Sequence, residues 1–373
     1  MGIEGFPRDY ALKGPENARA VAAGLANAEW YHTEVPRARM KELMKRSDSP
    51  ATRDTIIWLG LLAAFGALGA YFWGTWWAAP FFIAYGVLYG SGGDSRWHEC
   101  GHGTAFKTQW KNDFVYQIAC FMMMRNPTIW RWSHTRHHTD TIIVGRDPEI
   151  IAMRPPDLIK VGVNFFGLTD APQGVMAMLR HASGSLTPDE TDFVPESERP
   201  KVYFVARVWV AIYLATLLAC FVMGSILPAM LIGLPRLYGA WHHVLTGLTQ
   251  HVGLAEDIID HRLNSRTMML NPISRFVYWN MNYHVEHHMF PMVPYHALPA
   301  LHEEIKNDCP PPYAGFWAAY KEIIPTVIRQ LRDPTYFARR QLPPGARPTV
   351  SPVPAVIAPR AKAGNRPDAQ AGS

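Results

Sequence analysis

Two long parts of the sequence have almost no charged side chains. The 39 residues from Thr55 to Gly93 contain no Asp, Glu, Lys or Arg, and the 48 residues from Val208 to Ala255 contain only one, Arg236. A transmembrane helix needs about 20 mostly apolar residues, so each part is long enough for two. This pattern excludes an ordinary soluble enzyme. It predicts four membrane-spanning helices in two hairpins, at residues 55–73, 76–93, 205–224 and 227–248.

The sequence also has few cysteines and little net charge. Its four cysteines have no paired spacing, which argues against a disulfide framework or a cysteine metal site and indicates reduced thiols. The net charge is +5, and no Lys/Arg cluster alternates with aromatic residues, so nucleic acid is not an expected partner. Residues 1–54 are charged throughout and lack the apolar core of a signal peptide, so we expect the N-terminus to stay in the cytoplasm.

The charges beside the apolar parts predict the orientation of the chain. Arg53 and Arg96 bracket the first hairpin, whose turn near Gly74 is uncharged, and positive charge favours the cytoplasmic side. With an even number of spans, both termini are then cytoplasmic. We therefore expect an all-α integral membrane protein whose helical cytoplasmic cap lies on one face of the lipid bilayer. Arg236 is costly inside the fourth span and should face protein, water or a partner.

Composition divides the chain into three segments. Residues 1–54 are predicted to be a cytoplasmic N-terminal segment, and residues 55–340 a membrane domain. Residues 341–373 are rich in Pro, Ala and Gly without an apolar period, which is typical of a disordered tail. The composition of this tail and the lack of targeting signals favour a bacterial inner membrane.

Histidine, in contrast, is abundant and clustered. The chain has 16 histidines, and three clusters have the spacings of three and four residues that place side chains on one helix face. A pattern of three such histidines is expected by chance roughly 0.03 times in a chain like this, so two copies argue against unrelated surface histidines. Neutral imidazole binds iron, zinc and copper, and eight imidazoles suit two metal ions. The clusters are His98-Glu-Cys-Gly-His102, His134-Thr-Arg-His137-His138 and His284-Val-Glu-His287-His288.

Polar side chains near the clusters are candidates to orient the ligand imidazoles by accepting hydrogen bonds from them. These candidates are Asp94, Glu99, Asp140, Asp147, Asn282 and Glu286.

The three clusters, in this order around the two hairpins, resemble those of the membrane fatty acid desaturase and hydroxylase superfamily. The resemblance covers residues 55–305 and includes Gly145-Arg-Asp-Pro148 and the stretch from Phe290 to Pro299. It implies a four-span fold whose cytoplasmic cap carries two ferrous ions (Fe2+). The implied metal ligands are His98, His102, His134, His137, His138, His284, His287 and His288, with His251 as a ninth. His242 and His243 are alternatives for this ninth position.

The resemblance also implies a reaction. A histidine-bound di-iron centre in this superfamily uses dioxygen and two external electrons to desaturate an acyl chain. Because no His-Pro-Gly-Gly motif of a fused cytochrome occurs in the sequence, we expect a separate electron donor of the ferredoxin or rubredoxin type.

Two alternatives remain. One is a hydroxylase, monooxygenase or desaturase of the same superfamily that acts on an alkyl, carotenoid or small amino compound. The other is a metal transporter, which would carry histidines along several spans. The first hairpin has none, which disfavours a transporter.

Overall fold

The computed structural model describes residues 8–349, which fold almost entirely into helices. No strand occurs among these residues; two isolated β-bridges join Thr267 to Tyr283 and Met268 to Tyr313. The α-helices are α1 (Pro15–Ala22), α2 (Arg37–Leu43), α3 (Asp48–Tyr71), α4 (Ala78–Gly101), α5 (Gln109–Met123), α6 (Pro127–Thr139), α7 (Leu158–Asn164), α8 (Asp170–Ala182), α9 (Pro188–Phe193), α10 (Arg199–Met223), α11 (Leu227–Leu231), α12 (Pro235–Tyr238), α13 (Ala240–His251), α14 (His261–Asn264), α15 (Pro272–Val277), α16 (His284–Met289), α17 (Leu298–Ile305) and α18 (Phe316–Gln330). The prediction of an all-α fold is confirmed for the described residues.

Two helical stretches are long and apolar enough to cross a membrane. They are Arg37–Tyr71, which contains α3, and Glu196–Met223, which contains α10. Apolar side chains such as Leu217 and Phe221 on α10 are largely exposed, as expected for a surface that faces lipid. The helix α4 is also 24 residues long, but its last two turns carry Asp94, Arg96 and Glu99.

The predicted fourth span is not one continuous helix. Residues 227–251 form the three short helices α11, α12 and α13. The chain breaks where Gly233 takes a φ of +97° and where Pro235 has no N–H to continue the helix. At Gly239 an added Cβ would collide with the backbone of Gly86, so the broken segment crosses α4 at backbone contact. The prediction of a single helix over 227–248 is therefore wrong.

Arg96, which we expected to mark the cytoplasmic side, is fully buried instead. Its guanidinium donates to the carbonyl oxygens of Gly92 (3.1 Å) and Val277 (2.9 Å) and lies over the rings of Trp58 and Trp279, each 4.9 Å away. This side chain therefore joins α3, α4 and the residues before the third histidine cluster. Because Arg96 is not a loop residue, its charge does not indicate which side of the membrane is cytoplasmic.

Both ends of the described chain contact residues that are distant in the sequence. Arg8 forms ion pairs with Glu16 (2.7 Å), Glu256 (3.1 Å) and Asp257 (2.5 Å). The predicted tail begins at residue 341, and in its described part Arg347 donates its backbone N–H to Asp308 (2.9 Å). Residues 350–373 of that tail lie outside the described residues.

Candidate metal centre

Four helices, α4, α6, α13 and α16, bring the predicted ligand histidines to one place. The last turn of α4 carries His98 and His102 follows its end, and α13 ends at His251. The helix α6 supplies the second cluster and starts at Pro127, where Asn126 caps it by accepting the N–H of Thr128. The short helix α16 supplies the third cluster.

Five histidines form the first group of the site. Their ligand nitrogens all lie within 4.8 Å of one another. His98 Nε2 is 2.7 Å from His287 Nε2, and His134 Nε2 is 3.2 Å from the Nε2 atoms of both His98 and His102. His138 Nε2 is 3.2 Å from His134 Nε2 and from His287 Nε2, which closes the ring.

Four histidines form the second group, next to the first. The ligand nitrogens of His137, His251 and His288 lie within 4.8 Å of one another. His284 joins them, because its Nε2 is 2.9 Å from His251 Nε2 and 3.0 Å from His288 Nε2. The two groups meet where the rings of His138 and His288 stack, with centroids 4.4 Å apart.

The alternatives for the ninth position lie elsewhere. His242 Nδ1 is 2.7 Å from the hydroxyl of Ser91, and His243 Nδ1 is 3.3 Å from a carboxylate oxygen of Asp94. Both residues are more than one helical turn before His251 on α13. The structure therefore brings His251, and neither of the other two, into the cluster.

Eight of the nine imidazoles are held in the neutral form that binds metals. Burial, followed by the neighbouring imidazoles, lowers the pKa of most of them well below the usual value, and lowers that of His102 and His287 to about 3. For His137, burial opposes protonation, but the adjacent Asp147 carboxylate outweighs it and raises the pKa. In a neutral imidazole one ring nitrogen carries a proton and the other does not. Some of these closely spaced nitrogens therefore face another unprotonated nitrogen and have no hydrogen-bond donor.

The donor set fits metal ions. Two nitrogens bound at right angles to one ion, at about 2.1 Å each, lie about 3.0 Å apart. The Nε2–Nε2 distances within the two groups, 2.7 to 3.2 Å, are close to this value. A set of imidazoles without sulfur ligands suits iron, copper or zinc.

Three buried carboxylates contact the outer nitrogens of these histidines. Asp147 Oδ2 lies 2.8 Å from His137 Nδ1, and Glu99 Oε1 lies 3.3 Å from His287 Nδ1, as the sequence suggested. The third, Glu149, was missed by the sequence analysis; it lies 3.0 Å from His134 Nδ1. Burial raises the pKa of both Glu99 and Glu149 to about 7.

The other four candidate acceptors contact different groups. Asp140 pairs with Arg146, and the Asn282 amide donates to the Met268 carbonyl. Glu286 binds Thr267 and His302 instead of a clustered histidine. Asp94 accepts from the Trp97 indole and faces His243.

A cavity of about 320 Å³ adjoins the site. Histidines of both groups line one side of it. Its other walls mix apolar side chains with ionic ones, among them Asp94, Arg125 and Asp170. Arg125 has no ion-pair partner among residues 8–349 and stacks on Trp130 at 3.9 Å. The cavity therefore offers both apolar and charged contacts to a molecule next to the histidines.

The chain is similar in sequence to known proteins. The sequence model described as "Fatty acid desaturase" matches residues 73–320. The chain is 26% identical over 219 residues, 54% of its length, to an endoplasmic reticulum omega-3 fatty acid desaturase of Nicotiana tabacum. It is 26% identical over 266 residues, 61% of its length, to a fatty acid conjugase of Calendula officinalis. It is 27% identical over 274 residues, 68% of its length, to a chloroplastic "sn-2 acyl-lipid omega-3 desaturase (ferredoxin)" of Helianthus annuus.

These matches cover only part of the relatives. The chain spans 58% of the Nicotiana protein, 70% of the Calendula protein and 60% of the Helianthus protein. The compartments printed for the Nicotiana and Helianthus proteins are plant organelles, so they do not support the prediction of a bacterial inner membrane.

Proposed function

Because the chain belongs to the fatty acid desaturase family, a family of oxidoreductases, we propose that it is a membrane-bound di-iron enzyme that desaturates an acyl chain with dioxygen and two external electrons. The observation that carries the proposal is the convergence of nine histidines into groups of five and four. Each group has enough nitrogen donors for one ion.

The residues around the site have distinct roles in this proposal. Two bound ferrous ions would supply the activation of dioxygen that cleavage of an unactivated C–H bond requires. Asp147 and Glu149 accept hydrogen bonds from the outer nitrogens of His137 and His134 and so fix the orientation of these rings, and the Glu99 carboxylate lies 3.3 Å from the outer nitrogen of His287.

We propose that the chain crosses the membrane four times. The helices α3, α4 and α10 would each cross once, and the broken segment α11–α13 would cross last. The Gly86–Gly239 contact supports a shared bundle of α4 and α12–α13. In this topology all nine histidines, the cap and both termini lie on the same, cytoplasmic, side.

The electron donor is proposed to be a separate protein of the ferredoxin or rubredoxin type. The Helianthus relative has ferredoxin in its name, which favours the first of these. Turnover of the purified chain in phospholipid vesicles with reduced ferredoxin, compared with reduced rubredoxin, tests this choice. Equal and negligible rates with both would contradict it, provided that a chemical reductant supports turnover.

The ionic side chains that line the cavity favour a second candidate function. Asp94, Arg125 and Asp170 would bind a polar group close to the histidines, which suits a non-acyl substrate that is desaturated or hydroxylated. A purely aliphatic chain would leave the charge of Arg125 without an ionic partner.

One experiment distinguishes the candidates. A heterologous host expresses the intact chain, His137→Ala or His32→Ala, and its lipids and polar metabolites are profiled by mass spectrometry. We expect a new double bond in the acyl chains with the intact chain and with His32→Ala, since the His32 side chain is exposed and its Nδ1 contacts the carbonyl oxygen of Trp30 instead of a clustered histidine. A new polar metabolite with unchanged acyl chains would favour the second candidate. Iron is measured on the purified proteins, and two irons with full activity in His137→Ala would refute the di-iron site.

A further inference from the structure

A segment of the cap is almost as poor in charge as the membrane spans. The 22 residues from Leu158 to Leu179 contain only two charged side chains, Lys160 and Asp170. The sequence analysis predicted no membrane span here. In the structure they form α7, a turn at residues 165–169, and most of α8. We call residues 158–182 the α7–α8 hairpin.

The hairpin has two different sides. Its charged residues, Lys160 and Asp170, line the cavity beside the histidines. On the other side Ile159, Phe166 and Met176 are 80%, 67% and 59% exposed, with no partner among residues 8–349. A continuous apolar surface of this kind marks an interface with another molecule or with a membrane.

The hairpin contacts the proposed membrane-spanning segments at its base and at its tip. At its base, the carbonyl oxygen of Ala182 accepts a hydrogen bond from Arg207 Nε of α10 (3.0 Å). At its tip, Gly167 is so close to Arg236 that an added Cβ would collide with the Arg236 carbonyl oxygen. Arg207 is at the start of the apolar part of α10, whereas Arg236 is within the proposed fourth crossing. The tip therefore lies deeper in the bundle than the base.

Part of the backbone of the tip is hydrogen-bonded within the hairpin. The N–H groups of Phe166 and Gly167 donate to the carbonyl oxygens of Val163 (3.1 Å) and Asn164 (2.8 Å). The N–H of Asp170 donates to the side-chain oxygen of Asn164 (3.0 Å). Non-helical backbone is tolerated at membrane depth where it is buried in protein, and within this turn Gly167 is buried against the Arg236 carbonyl.

We propose that the α7–α8 hairpin is a re-entrant membrane element whose apolar side lies among the acyl chains of the bilayer. Its exposed side chains continue the lipid-facing surface of α10, where Leu217 and Phe221 are 61% and 85% exposed. The occupant of this surface is lipid, because it adjoins a helix that itself faces lipid. The hairpin then separates the cavity from the hydrocarbon region, since its Val161 and Gln173 line that cavity.

Spin labels measure the depth of the hairpin directly. The full chain with Cys220→Ala carries one added cysteine, Phe166→Cys or Met176→Cys, and is reconstituted in phosphatidylcholine vesicles; the other three native cysteines are buried. Collisions of the nitroxide with oxygen, which concentrates in hydrocarbon, are compared with collisions with a water-soluble nickel complex. Leu217→Cys on α10 is the control for lipid, and Asp189→Cys, exposed on α9, is the control for water.

We expect the ratio of oxygen to nickel collisions at Phe166 and Met176 to approach that of Leu217 and to exceed that of Asp189 several-fold. A ratio equal to that of Asp189 would place the hairpin in water and overturn the proposal. Low collision rates with both reagents would also overturn it, because a second copy of the chain would then cover the surface. Since these positions are exposed, the substitutions should keep the fold, and an unchanged thermal midpoint of each labelled protein verifies this.

Discussion

Asp147 Oδ2 lies 2.8 Å from Nδ1 of His137, and both side chains are buried. The same carboxylate accepts the backbone N–H of Ile142 (2.8 Å) and, through its other oxygen, that of Glu149 (2.8 Å). It therefore fixes both the ring of a proposed ligand and the loop that follows the second histidine cluster.

The first prediction concerns this carboxylate. Asp147→Asn keeps the size of the side chain but removes its charge, so His137 becomes a weaker and less well oriented ligand. Loss of such a partner lowers metal affinity by about 10- to 100-fold. Competition with an iron chelator measures the change. Asp140→Asn is the matched control, because Asp140 is equally buried in the same loop but pairs with Arg146. Equal iron affinities of the two variants would contradict the role of Asp147.

The second prediction tests the close contact between α4 and the broken crossing segment. Gly239→Ala adds a methyl group that would collide with the backbone of Gly86, and overpacking of this kind costs about 1–3 kcal/mol. Thermal unfolding in detergent should show a lower midpoint. The control is Gly60→Ala on the exposed side of α3, where nothing lies within 4 Å of the added atom. Alanine is the better helix former there, so this variant should be at least as stable as the parent chain. Equal midpoints for both variants would show that the crossing has room for a side chain.

The histidine clusters could be predicted from sequence because their chemistry depends on local spacing. Residues three or four apart on a helix share a face whatever the rest of the chain does, so each cluster carries its own geometry. The contact between Glu149 and His134 has no such local signal. It forms because the loop after α6 reverses, with Ile142 at a φ of +56° and Gly145 at +78°, and returns to the middle of the same helix.

Two features of the membrane part also could not be predicted from the sequence. A hydropathy pattern counts apolar residues and does not show that Gly233, Pro235 and Gly239 divide the fourth crossing into three helices. The buried position of Arg96 depends on rings from α3 and from the segment after α15, which are distant in sequence. The rule that positive charge marks the cytoplasmic side applies to loop residues, and Arg96 is a core residue.

The third prediction follows from that core position. The Arg96 guanidinium is charged and fully buried. Arg96→Lys replaces a flat guanidinium with five N–H donors by an ammonium with three, and so loses the contacts with two indole rings and part of the bonding to Gly92 and Val277. We expect a loss of about 2 kcal/mol in the free energy of unfolding. Arg53→Lys is the control, because the Arg53 side chain is 70% exposed and its exchange should leave stability unchanged. A thermal midpoint of Arg96→Lys equal to that of the control would contradict this account.

The fourth prediction separates the candidates for the ninth ligand. His251 Nε2 is 2.9 Å from His284 Nε2, and its Nδ1 is 2.8 Å from the carbonyl oxygen of Asn264, which can accept the N–H of the ring. This leaves Nε2 unprotonated and aimed at the second group. His242 instead faces the Ser91 hydroxyl. His251→Ala should therefore reduce the iron content of the purified protein, with the loss confined to one of the two ions because the group of five is intact. His242→Ala, a substitution of an equally buried histidine on the same helix, should retain both ions. Full iron content in His251→Ala, or loss of iron in His242→Ala alone, would contradict the assignment of His251 as the ninth ligand. Iron analysis of the two purified proteins side by side measures both outcomes.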